Sequence, residues 1–388
     1  MKSWLKEHRA QVLINAVLML LAAACIFGFV KVRSTLTYTN AAKEWAGESG
    51  ERFAYVSCFL PVNGKVGEET VRSFESAVNA KLVEASMEAE EGKSLWKYAY
   101  SGAGNVNVTT ERGSSAVYAM GVGGDFFSFH RMFLRSGNYI AESDLMHDRV
   151  VLDKELAWKL FGAIEVDGME LEINGKRFIV AGVVERDGDF ASSISYPENS
   201  GLYMAYDVFN EMTGEEISCC EAVLPNPVSG FAKNMVTESF TASGAEAVEV
   251  SARYRLGNIF DIIGSFGKRS MRTDGIIYPS WENAARLTED YAALGMVLFC
   301  LFMITPLCFA AVIGYKYAKK GASAAWKKTE EFSVKFYDAV NDKLYAKEQH
   351  AKLLEEQEKK SPGESGAESS EDYSEESSED YEPDELDD

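Results

Sequence analysis

Two long uncharged segments constrain this chain more than any other feature of its sequence. They are Val12–Val30 and Ala292–Tyr315, of 19 and 24 residues, and neither contains Asp, Glu, Lys or Arg. A helix rises about 1.5 Å per residue, so each segment reaches across a hydrocarbon core of roughly 30 Å. Pro306 lies inside the second segment, and membrane helices tolerate proline because neighbouring groups satisfy the carbonyl that it frees. The sequence therefore predicts two transmembrane helices, at residues 12–30 and 292–315.

The first segment has two other interpretations, a cleaved signal peptide and a lipoprotein signal. Basic residues precede it, as in a signal peptide, and Leu21–Cys25 resembles a lipoprotein cleavage box. Its apolar run exceeds the usual length of about 7–15 residues, however, and apolar residues continue beyond Cys25 to Val30. These features favour an uncleaved anchor. A buried core helix is the alternative for the second segment, and its length and its flanking lysines argue against that alternative.

Basic residues near the ends of the two segments predict their orientation. Three precede the first segment and five follow the second: Lys2, Lys6 and Arg9, then Lys316, Lys319, Lys320, Lys327 and Lys328. Lys31 and Arg33 weakly oppose this arrangement. Because membrane-flanking regions rich in Lys and Arg stay in the cytoplasm, we expect both termini there, including residues 1–11. The predicted protein is a two-pass protein of the cell (plasma) membrane, with residues 31–291 extracytoplasmic.

The charge balance excludes one large class of partners. The chain has 39 Lys and Arg against 60 Asp and Glu, and its net charge is −21. Thirteen of the acids lie in residues 361–388, which contain no Lys or Arg. Binding of nucleic acid phosphates requires a dense basic surface, and no dense basic block occurs here. We therefore expect the lipid bilayer and proteins as partners, and no nucleic acid.

Residues 31–291 alternate between helix and strand patterns. A strand is predicted at 52–60, and a helix at 68–90 from the helical spacing of its apolar residues. A buried strand at Val150–Leu152 leads into a helix at Lys154–Phe161, which Gly162 ends. The Asn174-Gly175 pair predicts a β-hairpin of strands 170–173 and 177–184. Further strands are predicted at 96–100, 106–110, 116–122, 201–206, 218–224 and 247–250, and a helix at 231–243. This mixture predicts an α+β domain, in two lobes.

An ordered set of these pieces, within Gly121–Asp189, resembles the periplasmic core domain of MacB-type and FtsX-like ABC transporter permeases. The set begins at Gly121-Val122, continues through the strand Val150–Asp153, and ends with the strand Phe178–Val184. The matching positions that we expect to be structural are Gly137, Asp144, Asp153, Ala157, Leu160, Phe161, Gly162, Gly175 and Gly182. We also expect Leu160 and Phe161 to fill the lobe beneath the Asn174-Gly175 turn.

The resemblance implies a general function. A MacB-like core domain implies a membrane subunit of an ABC-type export or mechanotransmission system, whose ectodomain binds partners or transmits conformational change. The implied partners are an ABC ATPase subunit and a full-length permease, and a homo-oligomer is an alternative. Family permeases have one transmembrane helix before this domain and three after it, whereas one apolar segment follows it here. We therefore expect a short two-helix relative, for which direct coupling to ATP hydrolysis is not implied. A membrane-anchored extracytoplasmic sensor or scaffold is the alternative function.

The sequence after the second segment has two parts. Residues 316–360 predict a cytoplasmic amphipathic helix with one apolar face, which includes Phe332, Phe336, Val340 and Leu344. This face is either the contact to a partner or part of a solvated continuation of the membrane helix. Residues 361–388 consist mainly of Ser, Glu, Asp and Tyr and repeat the string SSEDY, so we expect a disordered acidic tail.

Candidate residues for chemistry are few. Three cysteines lie between the apolar segments, namely Cys58, Cys219 and Cys220. Small buried hydrophobes are the favoured interpretation, with a disulfide from Cys58 to one of the adjacent pair and a reactive or metal role as alternatives. Asp144, His147 and Asp148 are close in sequence, but such residues in a polar stretch are usually solvated. The sequence has no P-loop, G-x-S-x-G or H-E-x-x-H motif, so we expect no enzyme, cofactor or metal site.

Overall fold

The computed structural model describes residues 8–35, 37–47, 51–87, 94–141, 143–254 and 256–358. The chain divides into two compact units, Met1–Cys308 and Phe309–Asp388. The helices are α1 (Arg9–Thr35), α2 (Ala41–Ala46), α3 (Glu68–Glu84), α4 (Phe126–Phe129), α5 (Lys154–Phe161), α6 (Phe190–Ser195), α7 (Tyr206–Thr213), α8 (Phe231–Phe240), α9 (Leu256–Ile262) and α10 (Ser280–Glu358). The strands are β1 (Phe53–Phe59), β2 (Lys97–Thr110), β3 (Gly113–Gly124), β4 (Phe133–Gly137), β5 (Arg149–Asp153), β6 (Glu170–Ile173), β7 (Lys176–Glu185), β8 (Ser200–Ala205), β9 (Cys219–Pro225) and β10 (Glu246–Glu249).

These ten strands form one sheet. Their order is β10-β1-β9-β2-β3-β8-β5-β7-β4, and β6 pairs with β2 and β7 beside this path. The β3–β8 and β5–β7 pairs are parallel, and the other pairs are antiparallel. The α+β class is thus confirmed, but the sheet runs unbroken through the region where we expected two lobes. The reason is that β3 pairs with β2 on one edge and with β8 on the other, which joins the two halves.

Helices cover both faces of the sheet, and alternate residues of a strand point to opposite faces. In β1, Ala54 and Val56 belong to a large core cluster with side chains of α3, α5, α7 and α8, whereas Tyr55 belongs to a second cluster. That second cluster includes residues of α2, α4 and the start of α10. The first turns of α10 therefore pack on the opposite face of the sheet from α3 and α8.

The hairpin of β2 and β3 is longer than the three short strands that we predicted. Glycines within these strands indicated loops at the level of sequence, but they have a packing role. A Cβ atom at Gly121 would lie 2.4 Å from Cδ1 of Phe209, and one at Gly123 would lie 2.1 Å from Cζ of Tyr100. Large rings therefore occupy the space that side chains at these glycines would fill, and the strands continue through them.

Local signals around α5 and the following hairpin are confirmed. The Asp153 side chain accepts a hydrogen bond from the Leu156 amide at 2.6 Å, so it caps the N-terminus of α5. Gly162 ends the helix at φ 74°, a left-handed conformation that glycine adopts without a steric penalty. Asn174 and Gly175 also have positive φ values, of 46° and 87°, and join β6 to β7 as predicted.

Two sequence expectations need correction. The helix predicted to continue to residue 90 ends at Glu84, and Ser86 takes a φ of 55°; residues 88–93 lie outside the described part. Phe161 is only half-buried, whereas Leu160 is 3% exposed. Successive residues on a helix point about 100° apart, and the core-facing side of α5 carries Leu156, Ala157 and Leu160. Leu160 therefore fills the core there, and Phe161 lies at its margin.

Two helices, α1 and α10, are long and apolar enough to cross a membrane. Their most apolar stretches have mean hydropathies of 2.5 and 2.6, and 6% of each stretch is buried within the structure. The helix α10 continues through residues 316–358, the described part of the amphipathic helix that we predicted at 316–360, as in the alternative of a continuation of the membrane helix. In the second unit these residues are helical and exposed where their side chains are described. The predicted acidic tail, residues 361–388, lies outside the described residues.

Candidate functional site

Charged side chains converge in the interior at the base of the sheet, where α10 begins. Arg253 donates to both carboxylate oxygens of Glu282 at 2.6 Å, and its Nε lies 2.9 Å from Glu289. Arg286 bonds Glu282 at 2.5 Å and Glu246 at 2.6 Å. The side chains of Arg253, Glu282, Glu289 and Arg286 are between 1% and 6% exposed. We call these four residues and Glu246 the base network.

The sequence brings the base network together from three places. Glu282, Arg286 and Glu289 are spaced by four and three residues, so they share one face of α10. Glu246 lies on β10 at the edge of the sheet, and Arg253 follows a 3₁₀ turn just after that strand. The network thus ties the edge of the sheet to the helix that enters the second apolar segment.

A further arginine and the local pKa shifts describe the electrostatics of this region. Arg269 lies 2.6 Å from Glu289. Burial raises the pKa of Glu289, and the nearby guanidinium groups of Arg253 and Arg269 act in the opposite direction. Burial also acts to raise the pKa of Glu246, but the Tyr278 hydroxyl and Arg286 more than offset it, so this pKa lies below its ordinary value. Burying a charged side chain is costly unless it is paired. The paired side chains of the network are therefore suited to holding α10 in a fixed position against the sheet.

A second buried polar group connects the centre of the sheet to the same helix. Glu221 on β9 is 2% exposed and accepts hydrogen bonds from Tyr55 and, at 3.1 Å, from Ser57. Nε2 of His130 lies 2.6 Å from the other Glu221 oxygen. The His130 ring packs on Trp281 with centroids 4.1 Å apart, and Trp281 is the second residue of α10. The contact between His130 and Trp281 therefore connects the polar group around Glu221 to the start of α10.

Neither the base network nor the polar group around Glu221 was predicted from the sequence. One usable signal was Glu221, an acid inside the otherwise uncharged strand Cys219–Pro225. A carboxylate in a buried strand requires partners, and their presence was therefore predictable. Their identities were not, because His130 and Tyr55 lie 91 and 166 residues away in the chain.

The positions that carried the family resemblance do not gather at this site. Gly137 and Gly182 face each other across β4 and β7, where added Cβ atoms would meet backbone oxygens at 2.1 and 2.4 Å. Asp153 is fully buried and pairs with Arg186 as well as capping α5. Asp144 accepts a hydrogen bond from the Ala141 amide at 3.1 Å. Together with the residues of α5 and the β6–β7 turn, these positions form local structure.

The three candidate cysteines lie side by side in the sheet. Cys58 on β1 is directly opposite Cys220 on β9, and all three thiols are buried and free. Burial raises the pKa of Cys58 to about 12 and raises the pKa values of Cys219 and Cys220 as well. The register thus makes Cys220 the partner if a disulfide forms, and the disulfide itself stays a prediction.

The remaining candidates give no sign of catalytic chemistry. Within the described ranges, no three His, Cys, Asp or Glu side chains are placed to hold a metal ion. Nδ1 of His147 lies 2.6 Å from Asp207, in a cleft of about 450 Å³ beside α3. In that cleft the Tyr98 and Tyr100 hydroxyls each lie 3.2 Å from a carboxylate, of Glu75 and Glu68. The polar groups named in this cleft already bond one another.

The predicted partner-binding residues lie on the second unit. Phe332, Phe336, Val340 and Leu344 are 70%, 63%, 41% and 57% exposed, and the two phenylalanine rings stack 6.5 Å apart. Such a row of exposed apolar side chains is compatible with a docking face. A partner for this face stays a prediction.

Comparisons with known proteins give one family match and several similar solved structures. The family model described as the MacB-like periplasmic core domain matches residues 70–229. No curated protein sequence matches the chain. Solved structures similar to it include the periplasmic region of MacB from Actinobacillus actinomycetemcomitans, with 18% identity over 51% of this chain and 90% of that one and a TM-score of 0.36. The extracellular domain of the noncanonic ABC-type transporter YknZ from Gram-positive bacteria has 12% identity over 50% and 99%, with a TM-score of 0.35.

A domain of a putative permease from Porphyromonas gingivalis is also similar, with 14% identity over 55% of this chain and 97% of that one and a TM-score of 0.30. The family match covers the ordered set of motifs through which the sequence resembled this family, and it extends beyond that set on both sides. Proteins with such domains are ABC-type transporter permease-like proteins of membranes, with the domain outside the cytoplasm. Residues 70–229 of the chain therefore form a MacB-like periplasmic core domain.

Proposed function

We propose that this protein is a membrane subunit of an ABC-type export or mechanotransmission system, in which the extracytoplasmic domain passes conformational change to the membrane. The base network is the observation that carries the proposal. It holds the face of α10 that contains Glu282, Arg286 and Glu289, directly before the apolar segment that begins at Ala292.

The contacts at the base suit the transmission of movement. Separating α10 from the sheet would break the buried ion pairs of Arg253 with Glu282 and Glu289, which is strongly unfavourable. His130 and Trp281 make a second, independent contact between the sheet and α10. A partner that shifts the sheet would therefore carry the start of α10 with it, because packed elements move as bodies.

The two apolar helices also meet at the base. Phe29 of α1 packs edge to face on Tyr254 with ring centroids 6.4 Å apart, and it contacts the cluster that contains Ala293 of α10. Movement of α10 would therefore reach α1 at the same level. We place both apolar helices in the cell membrane as two spans, with both termini cytoplasmic, on the basis of the flanking lysines.

Thiol labelling tests this topology. Ser76 on α3 and Ser333 on α10 are both exposed, so cysteines at either position are open to solvent. In cells with an intact inner membrane, an impermeant maleimide should label Ser76→Cys, and it should label Ser333→Cys only after permeabilisation. The parent chain is the control, since its extracytoplasmic cysteines are buried. Labelling of Ser333→Cys before permeabilisation would contradict the orientation.

The partners that we propose are an ABC ATPase subunit and a full-length permease. The 388 residues contain no P-loop, so hydrolysis would belong to another subunit. We assign the contact with this machinery to the apolar face of Phe332, Phe336, Val340 and Leu344. In this proposal the acidic residues 361–388 modulate association through charge, an effect that salt would screen.

Copurification tests the proposed partners. The tagged full chain, extracted from its native membrane in mild detergent, should bring down an ATPase and a permease. The triple variant Phe332→Ser, Phe336→Ser and Val340→Ser should lose both. A matched variant changes three apolar residues on other sides of the helix, 54%, 62% and 58% exposed, namely Val334→Ser, Tyr345→Ser and Leu353→Ser, and should keep both. A chain that purifies alone at every salt concentration would contradict the proposal and favour the sensor or scaffold.

A further inference from the structure

A short apolar element beside the base network has a surface that nothing above explains. It consists of α9 (Leu256–Ile262) and the 3₁₀ turn Ile263–Ser265 that follows it. Ile259 and Ile262 are 0% and 6% exposed and form a cluster with Ala293, against which Phe29 and Met296 also pack. Phe29 is the penultimate residue of the first apolar segment, and Ala293 and Met296 are among the first residues of the second. The element therefore lies at the level where both apolar segments end.

The free side of this element is also apolar. Phe260, Ile263 and Phe266 are 51%, 42% and 47% exposed. With about 100° between residues, the four apolar side chains Ile259, Phe260, Ile262 and Ile263 fall within one arc of about 160°, and Asp261 lies about 100° beyond either end of that arc. One apolar surface thus continues from the contact with α1 and α10 onto the exposed side, with a polar back. This pattern is typical of helices that lie in a membrane interface.

We propose that Phe260, Ile263 and Phe266 insert into the interfacial layer of the outer leaflet, so that α9 seats the extracytoplasmic domain on lipid. Lipid is the occupant that the surroundings favour, because the surface is continuous with apolar side chains of the two segments that are themselves exposed, such as Phe27 at 71% and Leu294 at 43%. Aromatic rings are enriched at this depth of a membrane. Lys31 and Lys268, two residues beyond Phe29 and Phe266 in the chain, are exposed, and lysines near the ends of membrane helices reach the headgroup layer.

Insertion of α9 into lipid would affect the base network through the residues on either side of α9. Arg253 precedes α9 and Arg269 follows the turn, and both bind Glu289 of α10. Lipid contact at α9 would therefore restrain the network at the level of the membrane. The inference requires α1 and α10 to cross a membrane, and it does not depend on the ABC-type role.

Fluorescence quenching in vesicles tests the seat. The full chain is reconstituted in vesicles of phosphatidylcholine and phosphatidylglycerol, with an environment-sensitive fluorophore on Phe260→Cys or Phe266→Cys. Two further positions serve as references: Leu20→Cys near the middle of the first apolar segment, which is 72% exposed, and Val83→Cys on α3, which is 69% exposed. The labelled parent chain gives the background from the native cysteines. Because all four side chains are exposed, the variants should keep the melting temperature of the parent.

Labels at 260 and 266 should be quenched by lipids that carry a nitroxide near the headgroup, and the label at 20 by lipids that carry it near the chain end. The label at 83 should be quenched by neither lipid and by aqueous iodide only. Labels at 260 and 266 that iodide reaches as readily as the label at 83 would overturn the proposal. Labels shielded from iodide but unaffected by both lipids would also overturn it, since a second copy of the chain would then cover the surface.

Discussion

Replacing Arg253 with Met is expected to destabilise the extracytoplasmic domain by about 3–5 kcal/mol. The side chain of Arg253 is 1% exposed and contacts Glu282 and Glu289, which are 1% and 4% exposed. The variant would keep the two buried carboxylates and remove the one guanidinium that contacts both. Glu282 would keep Arg286 and Glu289 would keep Arg269, but much of the attraction that offsets their desolvation would be lost. For a domain of this size, the loss corresponds to a fall of about 10 °C in melting temperature, measured on the full chain in detergent.

A matched substitution separates burial from charge. Arg72 also pairs with a glutamate, Glu68 at 3.5 Å, but its side chain is 79% exposed. Exposed ion pairs contribute little, so Arg72→Met should change stability by less than about 1 kcal/mol. If the two variants melted within a degree or two of each other, the base network would not hold α10 to the sheet. The transmission proposal would then lose its main support.

The parts of the fold that were predictable from sequence are those that depend on local chemistry. The left-handed glycine at 162 and the Asn174-Gly175 turn each need only a few adjacent residues, and both are confirmed. The length of the β2–β3 hairpin was not predictable in this way. The glycines that break a strand pattern in isolation here make room for Tyr100 and Phe209, which come from other elements.

The candidate site depends on contacts between distant residues. Arg253 meets Glu282, 29 residues away, and His130 meets Glu221, 91 residues away. Charged residues of this kind are solvated in most sequences, so their composition alone gives no reason to place them inside. These charged residues are buried because the fold packs β10, at the edge of the sheet, and the start of α10 around them. The resemblance to a family predicted the fold, but its motif positions lie elsewhere in the domain.

A second large loss of stability is expected from a substitution in the core beneath α5. Leu160 is 3% exposed, and Leu160→Ala should cost about 2–5 kcal/mol, from lost burial and the cavity left behind. Phe161 was expected from the sequence to share this role with Leu160, but it is less buried. Phe161→Ala should therefore cost less, about 1–2 kcal/mol, since part of its apolar surface is already in water.

Melting temperatures of the full chain in detergent distinguish the two placements, with Trp158→Ala as the control on the same helix. Trp158 is 61% exposed, so its loss should change stability by about 0.5 kcal/mol or less. The expected order of destabilisation is Leu160→Ala, then Phe161→Ala, then Trp158→Ala. A larger loss for Phe161→Ala than for Leu160→Ala would mean that α5 is rotated by one residue, about 100°, from the orientation described here. Asp153 would then no longer be placed to cap the helix and bind Arg186 at once, so this order also tests the capping contact.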